Sequence, residues 1–173
     1  MSTDTVPAKL LYFAPPLDGS RPYITINADP STGERGRNWV AEEHTVSIEN
    51  IRGKESGYTL DTSGFQFVKN EAKHAKFVDD DDIKAEYYPE SVKLLKEVTG
   101  ASRVVLFDHT VRRHRPGDKD TDATKRQPVA QVHVDQTPES ATTRVHRHLP
   151  STEAPSLVQK RFQIINLWRP ISH

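Results

Sequence analysis

The sequence predicts an α+β fold that is mainly β with appended helices, of the partial double-stranded β-helix or jelly-roll kind. Three observations point there. Short runs of Val, Ile, Leu, Phe and Tyr recur along the 173 residues, several with the period of two that suits a strand. Helix start and stop signals are confined to three segments. There is neither regular βαβ alternation nor a Gly-rich phosphate loop, which argues against a nucleotide-binding doubly wound sheet.

Taken in order, "KLLYFAPP" is a short apolar run closed by Pro15 and Pro16 and reads as an edge strand. Tyr23, Ile24 and Ile26 alternate briefly before a polar, Gly-rich loop. "HTVSIENIRG" places Val46 and Ile48 at period two and stops at Gly53. Tyr58–Leu60 and Phe65–Phe67 flank turn residues 61–64 and suggest a further strand pair, so this region reads as a small antiparallel meander. Asp79 to Asp82 form a solvated acidic lead into a helix; a calcium loop would need spaced oxygen ligands and a glycine turn. "PESVKLLKEVTG" is that helix, with Pro89 at its start, Gly100 as its stop, and Val92, Leu95 and Val98 as its apolar face. "ASRVVLFDHTVRR" is expected to be a strand with both faces covered, and "VAQVHVDQT" another. Thr137 and Pro138 open a second helix as N-cap and first residue, and "STEAPSLVQKR" makes a third, short one. "RFQIINLWRP" reads as a closing apolar strand.

Composition narrows the function. Lys and Arg number 24, as do Asp and Glu, so nothing draws the chain to nucleic acid or to an anionic membrane. With no cysteine, disulfides, thiolate chemistry and Cys-based zinc sites are excluded. No apolar run approaches 18 residues and no signal-peptide core is visible, so a soluble, cytoplasmic protein is expected.

The chemistry-bearing stretch is "VAQVHVDQT". In a strand, residues i and i+2 share a face, about 6–7 Å apart along the backbone. His133 and Asp135 would then aim at one place while Val132 and Val134 face the other way. A polar, solvent-facing strand edge explains such a pair equally well. With a second, distant histidine it becomes the 2-His-1-carboxylate triad of non-haem Fe(II) sites. Zinc is the weaker alternative, since no H-E-x-x-H is present. Most of the eight histidines suit ordinary roles. His44, His74 and His114 sit in polar surroundings, and His146 and His148 fall on different faces of a helix, as a solvated basic edge. His109 follows an apolar run and could line a pocket at its end.

"FDHTVRR", "VAQVHVDQTPESATTRV" and "RFQIINLWRPIS" resemble the signature stretches of the fungal AsaB-type hydroxylase/desaturase family, grouped with the CmcJ-like chain of cephalosporin 7α-methoxylase. The resemblance is most specific from Val104 to Ile171. It implies a non-haem oxygenase that uses Fe(II) and 2-oxoglutarate to hydroxylate or desaturate a small natural product, with His133 and Asp135 as metal ligands. Arg112, Arg161, Asn166, Trp168 and Arg169 fall in the other signature stretches and, with His109, are candidate substrate or co-substrate contacts without an assigned role, against plainer roles in core packing for Trp168 and a salt bridge for Arg169. Family members continue past "NLWRPI", and the second histidine and the basic residue for 2-oxoglutarate are expected in that continuation. Residues 1–173 would thus be a single oxygenase-like domain truncated at its C-terminus, with His109 or His173 as substitute third ligand, or a homodimer or partner chain completing the fold. A non-catalytic binding module is the alternative, and a methyltransferase a weaker one for want of a Gly-rich cofactor loop.

Overall fold

A computed structural model describes residues 4–27, 29–117 and 128–171. Two compact units divide the chain, Met1–Val68 with Thr110–His133, and Lys69–His109 with Val134–His173.

In the first unit, β1 (Thr5–Ala14) and β2 (Val40–Glu49) pair antiparallel, from Thr5 opposite Glu49 to Ala14 opposite Val40. The long connection between them is held by a bridge between Ile24 and Arg37 and by Tyr23 N–H donating to Asn38 Oδ1 at 2.9 Å. The other edge of β1 meets the 129–137 stretch at one point, where Val132 N–H donates to Leu11 O at 2.8 Å in a parallel bridge. This ribbon buries little: Ala14 is covered, while Val6, Phe13, Val40 and Ile48 stay exposed.

The second unit is helical. Asp79 caps α2 (Asp80–Asp82), its carboxylate accepting from Asp81 and Asp82 N–H. A π-helical turn, Ile83–Tyr87, leads into α3 (Tyr88–Thr99). Pro89 accounts for the widened turn: it has no N–H to donate four residues back, and its ring crowds that carbonyl. Gly100 ends α3 at φ 69°, its N–H bonded to Lys96 O. Ile83, Leu94, Leu95 and Ala154 are the buried apolar side chains. The covered face of α3 runs through Ser91, Leu94 and Leu95, with Val92 and Val98 half-buried at its margins. α4 (Pro138–His148) begins as expected, with Thr137 and Ser140 forming a reciprocal capping box, and α5 (Ala154–Leu157) follows. No helix among the described residues is long and apolar enough to cross a membrane.

The "mainly β" expectation is corrected to a mixed α+β arrangement, because β1 and β2 form the one sheet among the described residues. The strand pair expected around 58–67 is instead a 3₁₀ turn, Glu55–Gly57, and α1 (Leu60–Ser63). Thr59 and Thr62 cap each other there, and Gly64 closes the turn at φ 74°. Local side-chain capping outcompetes an unpartnered ladder. Tyr58, Phe65 and Phe67 pack on one another, with ring centroids 5.4 and 6.0 Å apart. The stretches 104–107, 129–137 and 161–170 are not strands either, beyond the single bridge at Gln131. A strand is defined by its neighbour, and beyond that one bridge to β1 these runs pair with no second backbone among the described residues. His148 is not a solvated edge. It stacks on Phe107 at 4.6 Å, and Arg144 lies over the same ring at 5.6 Å.

Candidate functional site

The boundary between the two units falls between His133 and Val134, so each member of the H-x-D pair belongs to a different unit. His133 is exposed, and its Nδ1 lies 2.8 Å from Gln131 O. A carbonyl only accepts, so Nδ1 carries a proton, and Nε2 is the nitrogen that the neutral tautomer would offer to a metal. Asp135 is also exposed and accepts a short hydrogen bond from Asn166 Nδ2. The expected common strand face is corrected: neither residue lies in a strand, and the alternating Val132 and Val134 are exposed rather than packed.

Both local arrangements fit metal donors. A ligating histidine usually donates its second ring N–H to a carbonyl or carboxylate, and ligating carboxylates are themselves hydrogen-bonded. One neutral imidazole and one carboxylate suit Fe(II). Among the described residues, no three His, Cys, Asp or Glu side chains come together as a ligand set. His173 lies outside the described residues.

In the second unit His109 is fully engaged. Its Nδ1 is 2.8 Å from Tyr88 Oη and its Nε2 3.3 Å from Asp80 Oδ1. Burial, and then the charges of Asp108 and Asp80, push the Tyr88 phenol above its ordinary value. The Asp80 carboxylate only accepts, so Nε2–H donates to it, and in the neutral ring Nδ1 then accepts from the Tyr88 hydroxyl. Among the described residues Arg169 makes no salt bridge. Its Nε donates to Tyr87 Oη at 3.1 Å, its two terminal nitrogens donate to Asn70 O and Oδ1, and the guanidinium lies 5.7 Å from the Tyr87 ring centre. Trp168 is 77% exposed, which rules out core packing within the described residues. Arg161 is exposed, and Arg112, in the first unit, is half-buried. A surface depression in the first unit is lined by Ile24, Glu34, Arg35 and Arg37, none of them a residue singled out from the sequence.

The structure thus joins Asp135 to Asn166. It ties His109 and Arg169 to partners the sequence did not suggest: Asp80, Tyr88, Asn70 and Tyr87. The tyrosine pair just ahead of Pro89 was the available signal, since a phenol at a helix start can reach a neighbouring polar side chain.

The family described as Oxidoreductase/YMDC permease-like domain matches residues 10–173. The chain belongs to this oxidoreductase family. It is 33% identical to Oxidoreductase AN1597 of Emericella nidulans over 96% of its own length and 56% of that protein's. It is 34% identical to the hydroxylase/desaturase efuI of Hormonema carpetanum over 99% of its length and 59% of that protein's. Among solved structures, it resembles the iron and alpha-ketoglutarate-dependent endoperoxidase NvfI, with a TM-score of 0.75 and 26% identity over 91% of this chain and 56% of that one. The chain therefore spans somewhat over half the length of these three relatives.

Proposed function

We propose that this chain belongs to a non-haem Fe(II), 2-oxoglutarate-dependent oxygenase that hydroxylates or desaturates a small natural product. In this reading residues 1–173 are part of one cytoplasmic, oxygenase-like domain with a jelly-roll core, completed by further chain or by a partner. The observation that carries it is the likeness to NvfI, an iron and alpha-ketoglutarate-dependent enzyme, in a chain that also holds the H-x-D pair.

His133 and Asp135 are the proposed iron ligands. The Gln131 carbonyl fixes the His133 tautomer so that Nε2 is the donor nitrogen. Asp135 supplies the negative charge that offsets part of the cation's. Bound iron and 2-oxoglutarate would supply O₂ activation for oxidising an unactivated C–H bond. His109 is better read as a packed histidine than as the third ligand, because Tyr88 and Asp80 occupy both ring nitrogens. Arg112, Arg161 and Trp168 are the proposed contacts to substrate or co-substrate.

A binding module without turnover is the second reading. It draws on the lack of a three-donor cluster among the described residues. One experiment separates the two: anaerobic Fe(II) binding, followed by succinate formation with 2-oxoglutarate, ascorbate and O₂. The oxygenase reading expects His133→Ala and Asp135→Ala each to remove most bound Fe(II) and all succinate. Unchanged iron binding in both variants refutes the ligand assignment. Iron binding without succinate, both by this chain and by a form extended to the length of its relatives, favours the binding module.

A further inference from the structure

We propose that Asn166 is a positioning residue whose side-chain amide holds the Asp135 carboxylate in the orientation a metal ligand needs. The proposal rests on the reading of Asp135 as a ligand. Both residues lie in the second unit, 31 positions apart in sequence, and are joined by Asn166 Nδ2 donating to Asp135 Oδ2. An ionised carboxylate can only accept, so Asn166 must present its nitrogen here and not its oxygen.

The need for such a bond is geometric. The terminal torsion of aspartate is broad, and an exposed carboxylate left alone samples it freely. A charge-assisted hydrogen bond to one oxygen narrows that range. The main chain of Asp135 is steadied from its other side, because Thr137 two residues on is the N-cap of α4, with Thr137 and Ser140 bonded reciprocally.

The amide can hold the carboxylate only if it is itself held. Three residues along, Arg169 fastens that stretch to the residues leading into α3. It bonds Tyr87 Oη at 3.1 Å and Asn70 Oδ1 at 3.2 Å, donates a further hydrogen bond to Asn70 O, and lies over the Tyr87 ring. Asn166 is thus presented from an anchored segment. It is also exposed, so replacing it removes a hydrogen bond without opening a core.

The test titrates Mn(II) into the full chain, following free and bound metal by electron paramagnetic resonance, with a urea midpoint for every variant. Asn166→Ala and the isosteric Asn166→Asp are expected to weaken Mn(II) binding about 10–100-fold, the usual effect of losing a partner of a metal ligand. Both should alter the bound-metal spectrum and leave the urea midpoint unchanged. Asn166→Gln, which keeps the donor on a longer arm, should recover part of the affinity. The proposal is overturned if Asp135→Ala weakens binding while Asn166→Ala and Asn166→Asp bind as wild type. It is also overturned if affinity falls only in step with the urea midpoint, since the bond would then be structural. If Asp135→Ala is indistinguishable from wild type, whether both bind or neither does, Asp135 is no ligand. The reading under which Asn166 positions it then fails first.

Discussion

His74 shows how far a residue's role can lie from its neighbours in sequence. "NEAKHAKF" reads as polar surface, yet His74 is 6% exposed, with Nδ1 2.9 Å from Glu86 Oε2 and its ring 4.9 Å from Phe77. The hydrogen bond it donates to Glu86 raises its pKa above the ordinary 6.5, against burial, which acts the other way. A raised folded-state pKa stabilises the fold fully below the unfolded value, and that contribution fades as pH rises through the folded value. Stability should therefore decline as pH climbs upward from about 6.5, and Glu86→Gln should flatten that dependence. Urea midpoints at pH 5.5, 7 and 8.5 measure it; a wild type whose midpoint does not fall across this range rules the linkage out. The H-x-D pair was visible in the sequence as a candidate because its two donor types fall in one short motif. Its supports were not: Gln131 contributes a backbone carbonyl, and Asn166 arrives from 31 positions away.

Elements were legible where local chemistry decides them. Thr137, Pro138 and Ser140 specify the start of α4 within four residues, and Gly100 specifies the end of α3. Thr137→Ala should accordingly cost about 1 kcal/mol in unfolding free energy. A loss of helix signal without any fall in midpoint would contradict it. The stretches 104–107, 129–137 and 161–170 were misread because β-rich composition states a preference, while a strand requires a partner. What holds the last of them is a planar fork. Arg169 reaches Tyr87 with Nε and both acceptors of Asn70 with its terminal nitrogens. Lysine cannot reproduce that geometry. Arg169→Lys should lose nearly as much stability as Arg169→Ala, about 1.5–3 kcal/mol each on the scale of hydrogen bonds to charged groups. Denaturation of the two variants side by side decides it, and a lysine variant as stable as wild type would show that charge alone suffices.

At the scale of the whole chain, stability is unevenly distributed. The second unit holds Ile83, Leu94, Leu95 and Ala154 out of water, whereas β1 and β2 bury Ala14 and leave Val6, Phe13, Val40 and Ile48 exposed. A two-stranded ribbon is marginal without a third strand or a packed face, and opening free energies follow the density of buried apolar contact. Amide exchange of the described residues should therefore be slowest in α3 around Leu94 and Leu95, and fast along β1 and β2 despite their complete register. Leu94→Ala should cost about 2–5 kcal/mol. Val40→Ala, at a side chain 63% exposed, should stay within about 0.5 kcal/mol. If a companion chain or a longer form of the protein covers the ribbon, adding it should slow exchange in β1 and β2 and leave α3 unchanged, because α3 is already packed. Protection in the ribbon equal to that in α3, in this chain alone, would mean that the exposed apolar residues are covered in solution and that the uneven division of stability is wrong.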